Sequence, residues 1–180
     1  MSATTTLFPR PTAATAALQE LGEERRESAR IRDVLLPVAG DDPVQAYLVE
    51  PGETSPTQGD RPGVLFAHWF DTEAPNGDRT EFLEEAMLLA ARGVSSVLPQ
   101  LTFPWTADPS GAEHDRARVI REVGRLRHSM AALRTLQGVD SHRSGVVGHD
   151  FGAMHAVLAV AAEGDVSALV FVAGTPRWAD

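Results

Sequence analysis

Residues 144–160 read Ser-Gly-Val-Val-Gly-His-Asp-Phe-Gly-Ala-Met-His-Ala-Val-Leu-Ala-Val: a short apolar strand, a glycine-flanked aspartate, then an apolar helix. No other stretch restricts the chain so tightly. A strand that turns sharply into a helix brings two backbones too close for bulky side chains, and it forces the residue at the crest into a strained conformation. Glycine at 148 and 152, with Ala153 beyond, meets that demand. The side chain lifted clear of the sheet is Asp150. Helix capping would explain one aspartate, but not two glycines set symmetrically about it. Because the helix opens at once, its first-turn N–H groups and positive dipole end favour negative charge at the bend. The Phe151 N–H is placed to serve as half of an oxyanion hole.

The chain has 180 residues, 43% of them hydrophobic, enough for one domain with a substantial core. A net charge of −9 argues against nucleic acid or an anionic membrane as partner. With no cysteine, disulfides, thiolate metal sites and a cysteine nucleophile are excluded. Residues 1–19, rich in Thr and Ala, lack the continuous apolar stretch of a secretory signal, and no run is long enough to span a bilayer. The expectation is a soluble, cytoplasmic protein.

Residues 1–28 read as a loose N-terminal arm, part helical, and residues 29–180 as the folded domain. Residues 31–38 and 44–49 flank Gly40-Asp41-Asp42-Pro43 and predict an antiparallel hairpin. A strand–helix alternation follows: strand 63–68, helix 79–92, strand 94–98, helix 112–136, the strand leading to Asp150, a helix to about 162, and a last strand 167–173. Continuously apolar strands separated by helices mean a parallel sheet covered on both faces. The fold class is therefore α/β, with a mostly parallel sheet.

Three stretches carry a family resemblance: Pro62-Gly63-Val64-Leu65-Phe66-Ala67-His68, the segment 79–93 ending Leu89-Ala90-Ala91-Arg92-Gly93, and Gly145 to His155 around the bend. Together with two antiparallel strands ahead of a parallel sheet and a bend after its third parallel strand, they resemble the α/β-hydrolase superfamily, in particular its dienelactone hydrolase and acetyl xylan esterase-like group. The resemblance implies a hydrolase acting on a small ester, lactone or related bond through a covalent intermediate. Asp150 would be the nucleophile in the nucleophile elbow, and the Phe151 and Phe70 N–H groups the oxyanion donors. Trp69 stands where the group usually has glycine. His68 is read either as a base or as a residue that holds the oxyanion loop. The acid and base of the family lie beyond Asp180, so the domain is expected to be C-terminally incomplete.

An aspartate nucleophile is the mark of the epoxide-hydrolase and haloalkane-dehalogenase branches. Here Phe151 replaces the halide-binding Trp, and Tyr47, the one tyrosine, lies on the early hairpin. A fragment of such an enzyme is one alternative. A non-catalytic binding or interaction protein is another, its apolar strand 168–173 offering a sheet edge for a homodimer. For substrate contacts the expected residues are Trp69, Arg79, Trp105 and His149; Arg79 either meets a substrate carboxylate or pairs with Glu81 or Glu85. Phe103 and Trp105 either line an acyl pocket or pack under their loop. The acidic turn 71–78 lacks the spacing of a calcium loop, and Asp78 reads as a helix cap. No glycine-rich phosphate loop follows the first parallel strand, which argues against a dinucleotide binder; no metal or cofactor is expected.

Overall fold

The central strands carry apolar side chains on both faces, and the computed structural model sets helices against each face of the sheet. It describes residues 7–8, 18–26, 28–52, 60–71, 73–103 and 112–175. The strands are β1 (Gln19–Arg26), β2 (Ala29–Leu36), β3 (Val44–Pro51), β4 (Arg61–Ala67), β5 (Ser95–Pro99), β6 (Val139–His149) and β7 (Ala168–Val172); the helices are α1 (Leu83–Ala90), α2 (Ala112–Arg134) and α3 (Phe151–Glu163). They build one seven-stranded sheet in the order β1-β2-β3-β5-β4-β6-β7. β1, β2, β3 and β5 pair antiparallel in succession, while β5, β4, β6 and β7 run parallel.

Side-chain alternation splits the core in two. Leu65 and Ala67 of β4, Val97 of β5 and Val146 of β6 face α2 and α3; Phe66 and Leu98 face α1 with Ala86 and Ala90. On α2, Val123, Leu126, Met130 and Leu133 recur at spacings of three and four and are at most 3% exposed. Each such side chain contributes about 1.5–3 kcal/mol on burial. Among the described residues no helix is long and apolar enough to cross a membrane.

Three local readings change. The strand ahead of the bend is longer than its apolar residues 145–147 suggested, with β6 starting at Val139. Gln19–Arg26, in the segment expected to be a loose, part-helical arm, is an exposed edge strand. Its charges are not a helical face: Glu23 pairs with Arg30 at 2.6 Å and Glu20 with Arg32 at 2.7 Å on β2, a charge-laced edge of the kind that resists further strand pairing. The helix expected from residue 79 begins at Leu83. Asp78 accepts from the Thr80 N–H (2.7 Å) and hydroxyl (2.5 Å), winding residues 78–82 into turns first. The opposite edge, β7, is apolar and exposed at every position, with Val170 at 50%.

Candidate active site

β6 ends at His149, and Asp150 adopts φ 48°, ψ −118° before α3 begins at Phe151. A side-chain-bearing residue held there costs on the order of 1–3 kcal/mol and persists only where its surroundings enforce it. Here they do. A Cβ on Gly148 would lie 2.6 Å from the Ala153 Cα, and one on Gly152 would lie 2.2 Å from the Ala67 carbonyl oxygen and 2.4 Å from that of His68. The Asp150 N–H donates to the carbonyl of Val172 at 2.9 Å, and its carbonyl accepts from Met154 at 3.1 Å. The carboxylate makes no capping hydrogen bond. Capping therefore does not account for Asp150, which stands at the C-terminal edge of the parallel strands, where ligands collect in open α/β sheets.

Beside the bend, Glu81 joins two segments distant in sequence. One carboxylate oxygen lies 2.5 Å from the His149 Nδ1, and the other accepts the Trp69 main-chain N–H at 2.7 Å. The Trp69 indole N–H donates to the Asn76 carbonyl (3.1 Å), and its ring stacks on the His149 imidazole with centroids 5.7 Å apart. Glu81 was legible in the sequence only as a neighbour of Arg79. Its partners are fixed by the turns of residues 78–82, for which the sequence carries no direct signal.

Beneath the bend, Phe103 is the hub of an aromatic cluster. Its ring centroid lies 5.2 Å from that of His68, 5.7 Å from Phe70, 6.0 Å from Phe151 and 5.3 Å from His155. At 2% exposure it fills the core instead of lining a pocket. The loop that carries it is fastened to α2 by Glu122, which accepts from the Thr102 N–H (3.1 Å) and hydroxyl (2.6 Å). The His68 Nε2 accepts the Leu101 N–H at 3.0 Å, so its Nδ1 carries the proton and donates to the Trp69 carbonyl at 2.6 Å. Both nitrogens are thus engaged in holding loops, and burial pushes the imidazole down to about 4. His155, whose Nδ1 donates to the Phe151 carbonyl at 2.7 Å, is likewise held down to about 4 by burial.

Arg79 pairs with neither Glu81 nor Glu85. Its guanidinium forks onto Asp33 of β2 (2.7 and 2.9 Å) and lies 3.8 Å over the Tyr47 ring. The fork holds the Asp33 carboxyl below its usual range. The structure thus gathers Trp69, Phe70, His149, Asp150 and Phe151 around one sheet edge and commits Arg79 to the scaffold; Trp105 lies outside the described residues. Among those residues no three His, Asp or Glu side chains are grouped to hold a metal ion.

Strand order, the bend after the third parallel strand and helices on both faces define the α/β-hydrolase fold. Solved structures that superpose on the chain are dienelactone hydrolase-like and acetyl xylan esterase proteins. A dienelactone hydrolase-like promiscuous phosphotriesterase from metagenomic libraries matches with a TM-score of 0.62 at 19% identity, over 85% of this chain and 63% of its own. Acetyl xylan esterase 1 from a Thermoanaerobacterium species matches with a TM-score of 0.59 at 15% identity, over 93% and 56%. Dienelactone hydrolase from Anabaena variabilis matches with a TM-score of 0.51 at 20% identity, over 79% and 62%. The chain therefore spans less than two thirds of the length of these structures. No protein-family model and no curated protein matches the sequence.

Proposed function

We propose that this chain hydrolyses a small ester, lactone or related bond through a covalent intermediate on Asp150. The observation that carries the reading is the Asp150 conformation: a strained, uncapped carboxylate at φ 48° on a bend that two glycines allow. Attack of that carboxylate on an acyl carbon expels the alkoxide and leaves a mixed anhydride; attack on an sp³ carbon leaves an ester. Water then cleaves either intermediate and restores Asp150. The Phe151 N–H at the start of α3 and the Phe70 N–H after β4 are the donors assigned to the developing oxyanion. Resemblance to esterase and dienelactone hydrolase structures supports the same class.

The test is incubation with p-nitrophenyl acetate and a small epoxide, followed by intact-mass and peptide analysis. The expected result is turnover, or an adduct on Asp150, abolished in Asp150→Asn with the fold retained. Neither adduct nor turnover across a broad panel defeats the reading. The apolar, exposed β7 favours a second one, a non-catalytic α/β-hydrolase-like protein that dimerises through this edge. Sedimentation that shows only monomer at micromolar concentration counts against it.

A further inference from the structure

The loop after β5 passes beneath the Asp150 bend, and three successive residues of it grip three different things. The Leu101 N–H donates to the His68 Nε2 at 3.0 Å, Thr102 is tied to Glu122 of α2, and the Phe103 ring packs against Phe151. Phe103 sits at φ 22°; it, Asp150 and Ala173 are the three non-glycine residues of positive φ among the described residues. Such a conformation persists only where the surroundings enforce it, and it gathers at functional sites. The enforcing contact here is Glu122. Both of its carboxylate oxygens are spent on Thr102, at 3.1 and 2.6 Å, and its side chain is 2% exposed. Arg125, one turn further along α2, compensates that buried charge at 3.7 Å.

What this loop supports is the pair of segments that carry the assigned oxyanion donors. The Phe103 ring lies against the rings of both Phe70 and Phe151. The Trp69 carbonyl, which accepts from the His68 Nδ1, and the Phe70 N–H belong to one planar trans peptide. A carbonyl drawn toward His68 therefore turns that N–H the opposite way. Leu101 fixes the histidine tautomer that makes this bond. On the other segment the Asp150 carbonyl accepts from Met154 within α3, so the Phe151 N–H of the same peptide points out of the helix N-terminus. We infer that Glu122 is a positioning residue for the oxyanion donors. By fastening Thr102 it holds Phe103 as a wedge against the Phe70 and Phe151 segments and keeps Leu101 on His68. The inference rests on the reading of Asp150 as nucleophile, which supplies the oxyanion to be stabilised.

The experiment uses the full chain and reads p-nitrophenyl acetate turnover, the urea midpoint and the backbone amide resonances of Phe70 and Phe151. Glu122→Ala is expected to lower kcat about 10- to 100-fold at nearly unchanged KM, because misplaced donors affect the transition state more than the bound ester. Glu122→Gln keeps an acceptor for the Thr102 N–H and should recover most of that loss. Phe103→Leu leaves the carboxylate in place and should lower kcat in the same way, with Glu122→Ala adding little to it. Leu126→Ala, on the same helix and 1% exposed, is the stability control: it lowers the urea midpoint and leaves kcat unchanged. In Glu122→Ala the Phe70 and Phe151 amide resonances should both shift as the Phe103 ring moves, a readout that needs no turnover. Several results overturn the role of Glu122 while leaving Asp150 intact: wild-type kcat in folded Glu122→Ala or Phe103→Leu, unmoved amides, Gln faring no better than Ala, or an equal kcat loss in Leu126→Ala. A wild-type chain with neither turnover nor an adduct on Asp150 overturns the Asp150 reading and this one with it.

Discussion

Gly152, in the first turn of α3, approaches β4 so closely that a methyl group in place of its hydrogen would sit 2.2 Å from the carbonyl oxygen of Ala67. Both sides of this contact are backbone, so neither can swing aside. Gly152→Ala is therefore expected to lose about 3 kcal/mol or more, beyond the usual cost of overpacking, through displacement of α3 from the sheet. Gly124→Ala is the matched control. A Cβ on Gly124, mid-way along α2, meets nothing within 4 Å, and replacing a helical glycine should stabilise by about 0.5–1 kcal/mol. Urea midpoints of the two variants should move in opposite directions; parallel shifts would remove the steric account of the bend.

Arg79 yields a prediction about what it does not do. Its fork onto Asp33 joins β2 to the turns ahead of α1 and is sheltered, with side chains 12% and 27% exposed. Lysine keeps the charge but loses both the fork and the stacking on Tyr47. Arg79→Lys should cost about 1–2 kcal/mol, and a double-mutant cycle with Asp33→Asn should return a coupling of about 1 kcal/mol. Because the guanidinium is committed to the scaffold, KM should be the same for neutral and carboxylate-bearing esters in wild type and variant. A rise in KM confined to the carboxylate-bearing ester would return Arg79 to the substrate.

Acid should weaken this fold before its carboxylates titrate. His68 and His155 are pushed from 6.5 to about 4 by burial. In the unfolded chain they protonate near 6.5; in the fold they resist until about 4. Above pH 6.5 neither state takes up the proton and their contribution is complete. Between 6.5 and about 4 the unfolded state binds protons that the native state refuses, so stability falls as pH falls, by up to about 3 kcal/mol per imidazole. Urea midpoints at about pH 7.5 and about pH 4.5 should differ accordingly, and His155→Met should remove part of that difference. An equal pH dependence in the variant would mean that His155 is not held neutral.

How much of this was legible in the sequence depends on how far apart the partners lie. The parallel strands β4 and β5 and the apolar end of β6 were readable because a strand buried on both faces is apolar; the polar first half of β6, residues 139–144, was not. The bend was readable because steric exclusion is local: Gly148 and Gly152 flank the residue they serve. β1 was not, since its Glu20 and Glu23 are satisfied by Arg32 and Arg30 on a strand whose register the sequence does not state. Glu81 and His149 are 68 residues apart, and Arg79 and Asp33 are 46 apart. Only the turns of residues 78–82 decide which carboxylate each of them meets. Phe103 was ambiguous for a related reason: the buried Glu122 that draws its loop inward sits on another element.

The strain at Asp150 gives the most direct separation of stability from function. At φ 48°, ψ −118° a residue with a Cβ is disfavoured and glycine is not. If the aspartate is there for chemistry alone, the fold bears its cost, and Asp150→Gly should raise the unfolding free energy by about 1 kcal/mol while abolishing p-nitrophenyl acetate turnover. Asp150→Ala keeps the Cβ and should abolish turnover with no such gain. The comparison isolates the backbone term, because both substitutions remove the carboxylate and differ only in the atom that causes the strain. If glycine proved no more stable than alanine at this position, the bend would hold its crest residue without strain, and the conformation would lose its value as a sign of function.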